Sequence, residues 1–214
     1  MNSHEGINAI KSALHKRFFD VSALLANSYF EYDVSDKTEA IYSKCNNDPR
    51  TRSEVYMDVL TGELGEHAIY RLLKEAGLDI VFNEEPISKE YWWDIALDHK
   101  DGPLFGEIKF QGNGFEDNSK TTFGFSKKRF DQHMRENWQK LDFIIAFYLK
   151  SKGDQTFVVP WLLIDSDAID PKLNLYGLST KNDGYYLKMN EAQKKNLFER
   201  LNNDSNLFTF DASH

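Results

Sequence analysis

Twelve residues separate Asp94 from Glu107, and the segments at either end of that interval constrain the fold of this chain more than any other feature. Tyr91-Trp92-Trp93-Asp94-Ile95-Ala96-Leu97 and Gly106-Glu107-Ile108-Lys109-Phe110-Gln111 each alternate polar and apolar residues as a strand does, and turn formers bound them both. Strands joined across so short an interval are neighbours, which sets Asp94 beside Glu107. Residues two apart in a strand share a face, so Lys109 accompanies Glu107. The expectation is a sheet edge on which two carboxylates and an amine converge.

The rest of the chain is read around that edge. At 214 residues the length suits a single domain with a well-buried core, and 41% hydrophobic content with 16 Phe supports a globular chain. The longest apolar stretches, such as Phe143 to Leu149, are strand-sized and too short to span a membrane. Met1 to Glu5 carry no basic region leading into an apolar core, so no signal peptide is expected and the cytoplasm is the expected compartment. Cys45 is the single cysteine, which excludes an internal disulfide and disfavours a thiolate zinc site. A formal net charge of −8 argues against indiscriminate coating of nucleic acid, which draws on excess Lys and Arg. It is compatible with an acidic metal site beside a local basic stripe.

Residues 1–60 read as a helical extension packed on a core formed by 61–214. Ile7, Ile10 and Leu14 recur at helical spacing, Asp20 is placed to cap a helix carrying Val21, Leu24 and Leu25, and Asn46-Asn47-Asp48-Pro49 is a breaker. A third helix is expected from about residue 50 to 76, ending at Gly77. Strands follow at 78–82, 92–98 and 104–111, then a polar loop over 112–125. Ser126 is expected to cap a helix with Phe130, Met134, Trp138 and Leu141 on its apolar stripe. Phe143–Leu149 and Thr156–Ile164 read as strands, the second interrupted by Pro160, and Asn190 as the cap of a short helix containing Leu197 and Leu201. The pattern is α/β, with a mixed sheet flanked by helices.

Two carboxylates and an amine on one edge suit a phosphodiesterase that uses a divalent ion. Hard cations prefer oxygen ligands, and a nearby ammonium offsets developing negative charge or orients the attacking water. Other chemistries lack their signatures. The six histidines show no paired metal-ligand spacing, and there is no Gly-rich Walker loop. Trp92 and Trp93 could stack on bases, but alternation turns one of them inward, and packing is the default for both.

The ordered set of a helix-borne Glu, then Asp94, then Glu107-Ile108-Lys109, followed by a helix and a buried strand, resembles the PD-(D/E)XK nuclease superfamily. The resemblance covers roughly residues 60 to 150, with Trp93 standing where the family often has Pro. It implies a restriction-endonuclease-like core and a Mg²⁺ cofactor, with Mn²⁺ as a substitute. Asp94 and Glu107 become metal ligands, with the Ile108 carbonyl as a third. Lys109 becomes the residue that positions water or stabilises charge, and Gln111 a contact to the substrate.

Two residues compete for the helical acid. Leu64, Ala68, Ile69, Leu72, Leu73 and Ala76 define an apolar stripe at about 100° per residue. Glu66 falls at its border, where it can reach the site, and is read as catalytic and metal-binding. Glu63 projects away, beside His67, Tyr70 and Lys74, and is expected on a solvated face. Ser126, Lys127, Lys128 and Arg129 at a helix start, with Arg135 on the same helix, form an expected phosphate seat. His133 is read as a surface residue.

The expected function is therefore metal-dependent hydrolysis of nucleic acid, most simply DNA cut internally, by a chain that works alone or as a homodimer. An RNA-directed or exonucleolytic enzyme is one alternative. A nucleic-acid-binding module without catalysis is another, against which the intact Asp94, Glu107 and Lys109 argue.

Overall fold

The computed structural model describes residues 3–15, 17–44, 50–83, 93–110, 122–126, 142–165, 175–176, 184–188 and 199–200. Helices α1 (Ser3–Leu14), α2 (Ser22–Leu25), α3 (Ser28–Lys44) and α4 (Arg52–Glu75) dominate the first third, with the two-residue strand β1 (Phe19–Asp20) between α1 and α2. Strands β2 (Ile80–Phe82), β3 (Ile95–Leu97), β4 (Leu104–Phe110), β5 (Thr122–Ser126), β6 (Phe143–Lys152), β7 (Gln155–Asp165), β8 (Leu175–Tyr176), β9 (Gly184–Lys188) and β10 (Glu199–Arg200) follow. Among these residues the larger sheet runs β1-β7-β6-β4-β3-β2, with β10 also on β7. Its β4–β6 pair is parallel and its other pairs antiparallel, so the expected mixed α/β sheet is present. A second sheet has the order β5-β9-β8.

Helix α4 is the longest described helix, and its ends follow from local chemistry. Thr51 and Glu54 form a reciprocal capping box at its start. At the far end Gly77 adopts φ 80°, a left-handed conformation that costs glycine little. Arg17 donates to the Leu72 carbonyl at 3.0 Å and to Glu75 at 2.8 Å, tying α4 to the chain after α1. The helix is continuous across residue 60, where the sequence reading divided the chain. Ile10, Leu14, Phe30 and Val34 from the first sixty residues share one hydrophobic core with Leu64, Ile69 and Leu73 of α4.

That core lies between α4 and one face of the larger sheet. Leu104 and Ile108 alternate inward along β4, as Phe143, Ile145 and Phe147 do along β6. Phe147 packs where α4 has Gly65; a Cβ there would overlap the phenyl ring. The glycine thus lets the ring seat directly against the helix. Asp142 starts the β4–β6 pairing, accepting from the Phe105 N–H at 2.9 Å and donating its own N–H to the Phe105 carbonyl at 2.7 Å. Between β6 and β7 the register shifts after Ala146, so Phe147 faces Pro160. A proline has no N–H for the ladder and fits such an irregularity.

Several local expectations are corrected. Asp20 lies in β1 and Val21 is the N-cap of α2; the Asp20 carboxylate accepts from the Ser22 N–H at 2.9 Å. The stretch after Asp20 is two helices, with the Asn27 side chain accepting from Tyr29 N at 2.9 Å between them. Residues 122–125, read as loop, belong to β5, and Glu199 and Arg200, read as helical, pair with Leu163 and Leu162 of β7. Both strands are made by distant partners, which local periodicity does not register. Residues 45–49 and 127–141, where a breaker and a helix were expected, lie outside the described residues.

Gly65→Ala should cost about 1–3 kcal/mol, the usual range for overpacking a tight core. Adding Phe147→Leu should recover part of that loss. Urea denaturation of both single variants and the double variant tests the contact, and strictly additive losses would contradict it.

Candidate functional site

Asp94 is fixed before any ligand is considered. It immediately precedes β3, and its N–H donates to the Gly106 carbonyl at 2.9 Å while its own carbonyl accepts from Asn83 N at 2.9 Å. Asn83 also donates from its side chain to the Trp93 carbonyl at 2.8 Å. Ile95 is the first residue of β3 paired with β4, opposite Gly106, and because the Asp94 N–H reaches that same Gly106 carbonyl, Asp94 stands at the end of the β3–β4 pairing rather than within its regular alternation. Trp93 packs on the sheet with its ring 5.4 Å from that of Phe105, in agreement with packing rather than display.

On β4, Glu107 and Lys109 share a face and form an ion pair, with side chains 15% and 28% exposed. The Ile108 side chain is buried, and its N–H donates to Asp94 Oδ2 at 2.6 Å. Glu66 comes from α4. A Cβ at Gly62 would lie 3.9 Å from Glu66 Oε1, so this carboxyl folds back along the helix toward the turn of residues 62 and 63. Burial, then the negative charges of Asp94, Glu63 and Glu107, hold the Glu66 pKa well above the ordinary 4.5, and Lys37 opposes them. For Lys109, burial alone would depress the pKa, but the carboxylates of Glu107, Asp94 and Glu66 outweigh it and the pKa is raised. Four of the expected site residues, Glu66, Asp94, Glu107 and Lys109, are therefore within electrostatic reach of one another.

Glu63 departs from expectation. It is 7% exposed, not solvated, and accepts from Lys37 Nζ at 2.7 Å. Lys37 also meets Asp33 at 3.0 Å. The outer face of α4 is covered by α3 and by β2: His67 packs between the rings of Phe30, at 5.8 Å, and Phe82, at 5.5 Å. Burial lowers the His67 pKa. A helical wheel drawn for α4 alone assumes one packed face, whereas α4 has two. The missed signal lay in α3, where Lys37 falls on the stripe of Phe30, Val34 and Ile41 and so needs a buried partner.

Gln111, Lys127, Lys128, Arg129, His133 and Arg135 lie outside the described residues, as do Trp92 and Cys45. Ser126 closes β5 opposite Gly184, and the helix it was expected to cap is likewise outside them.

Glu66, Asp94 and Glu107 supply hard oxygen donors of the kind Mg²⁺ and Mn²⁺ take. With Glu63 they place four carboxylates near two ammoniums, Lys37 and Lys109, and the raised Glu66 pKa reflects desolvation first and then the neighbouring negative charge. As arranged, Glu107 is turned to Lys109 and Asp94 to the Ile108 N–H, and among the described residues no group of three or more His, Cys, Asp or Glu is assembled to hold a metal ion. The donor set fits a divalent cation in kind, and taking one up requires Glu107 to exchange Lys109 for it. Also among the described residues, no helix is long and apolar enough to cross a membrane. Compared with known proteins, the chain matches no family model, no curated protein and no solved structure.

The raised Glu66 pKa has a consequence for stability in the absence of divalent ions. A carboxyl that binds its proton more tightly when folded stabilises the fold below the ordinary carboxylate pKa of 4.5, and that contribution is lost as pH rises toward the raised value. Glu66→Gln in EDTA should therefore raise the urea midpoint at about pH 8 relative to wild type and change it little at about pH 4. A gain confined to acid pH would contradict the burial and crowding of this group.

Proposed function

We propose that this chain is a metal-dependent nuclease of the PD-(D/E)XK type with a restriction-endonuclease-like core, most simply a DNA endonuclease. The observation that carries the reading is the meeting of Asp94, Glu107 and Lys109 with a half-buried helical acid, Glu66, within electrostatic reach of one another. The order of elements supports it: α4, the antiparallel run β2-β3-β4, then a crossover to β6 lying parallel beside β4.

In this reading Asp94, Glu107 and Glu66 would hold the cation, with the Ile108 carbonyl as a further oxygen ligand. The ion supplies Lewis acidity and lowers the pKa of water at neutral pH. Lys109, once released from Glu107, would orient the attacking water and offset charge on the pentavalent phosphorus. Asp94 is held by its backbone clamp to β2 and β4, so little reorganisation falls to it. Gln111 and the Ser126, Lys127, Lys128 and Arg129 group would contact the nucleic acid, with phosphates drawn to basic side chains despite the acidic chain. The reading is of a cytoplasmic enzyme, alone or as a homodimer.

The Glu107–Lys109 contact favours one further reading, a nucleic-acid-binding module on the same scaffold without catalysis. A panel of duplex, single-stranded and branched DNA and RNA, incubated with Mg²⁺, with Mn²⁺ and with EDTA, separates the two. Metal-dependent cutting supports the nuclease, and binding without cutting under every condition sinks it. The same panel distinguishes DNA from RNA and internal cutting from exonucleolytic digestion.

Asp94→Ala and Glu107→Ala should each abolish cleavage while leaving the protein folded, since removing one crowded carboxylate relieves repulsion. Glu66→Gln should lower the cleavage rate at least about tenfold, roughly 1.4 kcal/mol in the barrier. Lys109→Ala should lose turnover yet retain Mn²⁺ and substrate binding, because its amine acts chiefly in the transition state. Wild-type rates in the Asp94 or Glu107 variants would remove the central claim.

A further inference from the structure

Glu63 has no part in the catalytic set just described, yet it is buried one turn from Glu66 with a lysine from another helix. A buried ion pair is weak evidence for stability, because desolvation of both charges consumes most of their attraction. Its placement is more informative. The Glu66 carboxyl folds back toward the turn of Gly62 and Glu63, and Glu63 occupies that turn with Lys37 Nζ at 2.7 Å. Lys37 is fixed a second time by Asp33, four residues earlier on α3. Glu66 feels both members of the pair, in opposite senses.

We propose that Lys37 and Glu63 are positioning residues for the candidate cation site. Held between α3 and α4, they form a counter-ion pair that fixes the field around Glu66 and so sets how strongly Glu66, Asp94 and Glu107 attract a divalent cation. The helices of the first sixty residues thereby contribute a charge to the site as well as a packing surface. This rests on the nuclease reading insofar as those three carboxylates are taken as the cation's ligands.

The signs of the two charges separate this role from a structural one. Glu63→Gln removes a buried carboxylate and leaves the Lys37 ammonium offset only by the more exposed Asp33, so its net charge repels a dication more strongly. Lys37→Met leaves the Glu63 carboxylate uncompensated, which attracts one. A pair that only held α3 to α4 would weaken the site in the same direction whichever member was removed.

Mn²⁺ binding to the full chain at one fixed pH, measured by titration calorimetry and by the loss of free-ion paramagnetic resonance signal, tests the proposal. Glu63→Gln should weaken binding about tenfold, while Lys37→Met should hold or tighten it and Lys37→Arg should match wild type. If a single variant fails to fold by circular dichroism, the neutral pair Lys37→Met with Glu63→Gln keeps both shapes and should bind Mn²⁺ within about threefold of wild type. Equal weakening by both single variants, or a double variant as weak as Glu63→Gln, would overturn the positioning role and leave the cation site standing. A wild-type chain that takes up no Mn²⁺ would instead overturn the nuclease reading, and this inference with it.

Discussion

The close seating of α4 on the larger sheet is the contact on which the other features depend. Where Gly65 meets Phe147 the helix lacks a side chain and the strand presents a ring, so the ring seats directly against the helix in the space a Cβ would take. The apolar residues on either side, Leu64, Ala68, Ile69, Leu72 and Leu73, are then completely or nearly completely buried in the core beneath the larger sheet. Glu66 directly follows that glycine. A helix seated farther out would leave it in water, remote from Asp94 and Glu107, with an ordinary pKa and no shared field.

Packing and electrostatics therefore oppose each other at one place. The fold that buries the α4 stripe also brings Glu66, Glu63, Asp94 and Glu107 into one region, with Lys109 and Lys37 as the balancing cations. Burial weakens solvent screening, so these groups act on one another strongly. Backbone donors relieve part of the strain: the Ile108 N–H holds one oxygen of Asp94.

The local geometry of the candidate site was legible because it is built from neighbours in sequence. Asp94 leads into β3 and Glu107 lies on β4, its antiparallel neighbour, so a short connection suffices to bring the Asp94 carboxylate to the backbone of Ile108, next to Glu107. Lys109 shares the face of Glu107 through period-two alternation. The ends of α4 were readable for a similar reason, since the Thr51-to-Glu54 capping box and Gly77 act within a single turn of chain.

What the sequence by itself determined is thus the α/β alternation, the shared face of Glu107 and Lys109 with Asp94 close by, and the extent of α4, all set by interactions that act over a few residues or across one connection. Tertiary structure alone decided the rest. Glu63 is buried because α3, whose Lys37 lies 26 residues earlier, covers a second face of α4. Phe19–Asp20 and Glu199–Arg200 are strands because β7 offers them backbone partners far along the chain. A residue's own neighbours carry no record of which distant element will land on it, and it is that landing which decides whether a charge stays in water or joins the site.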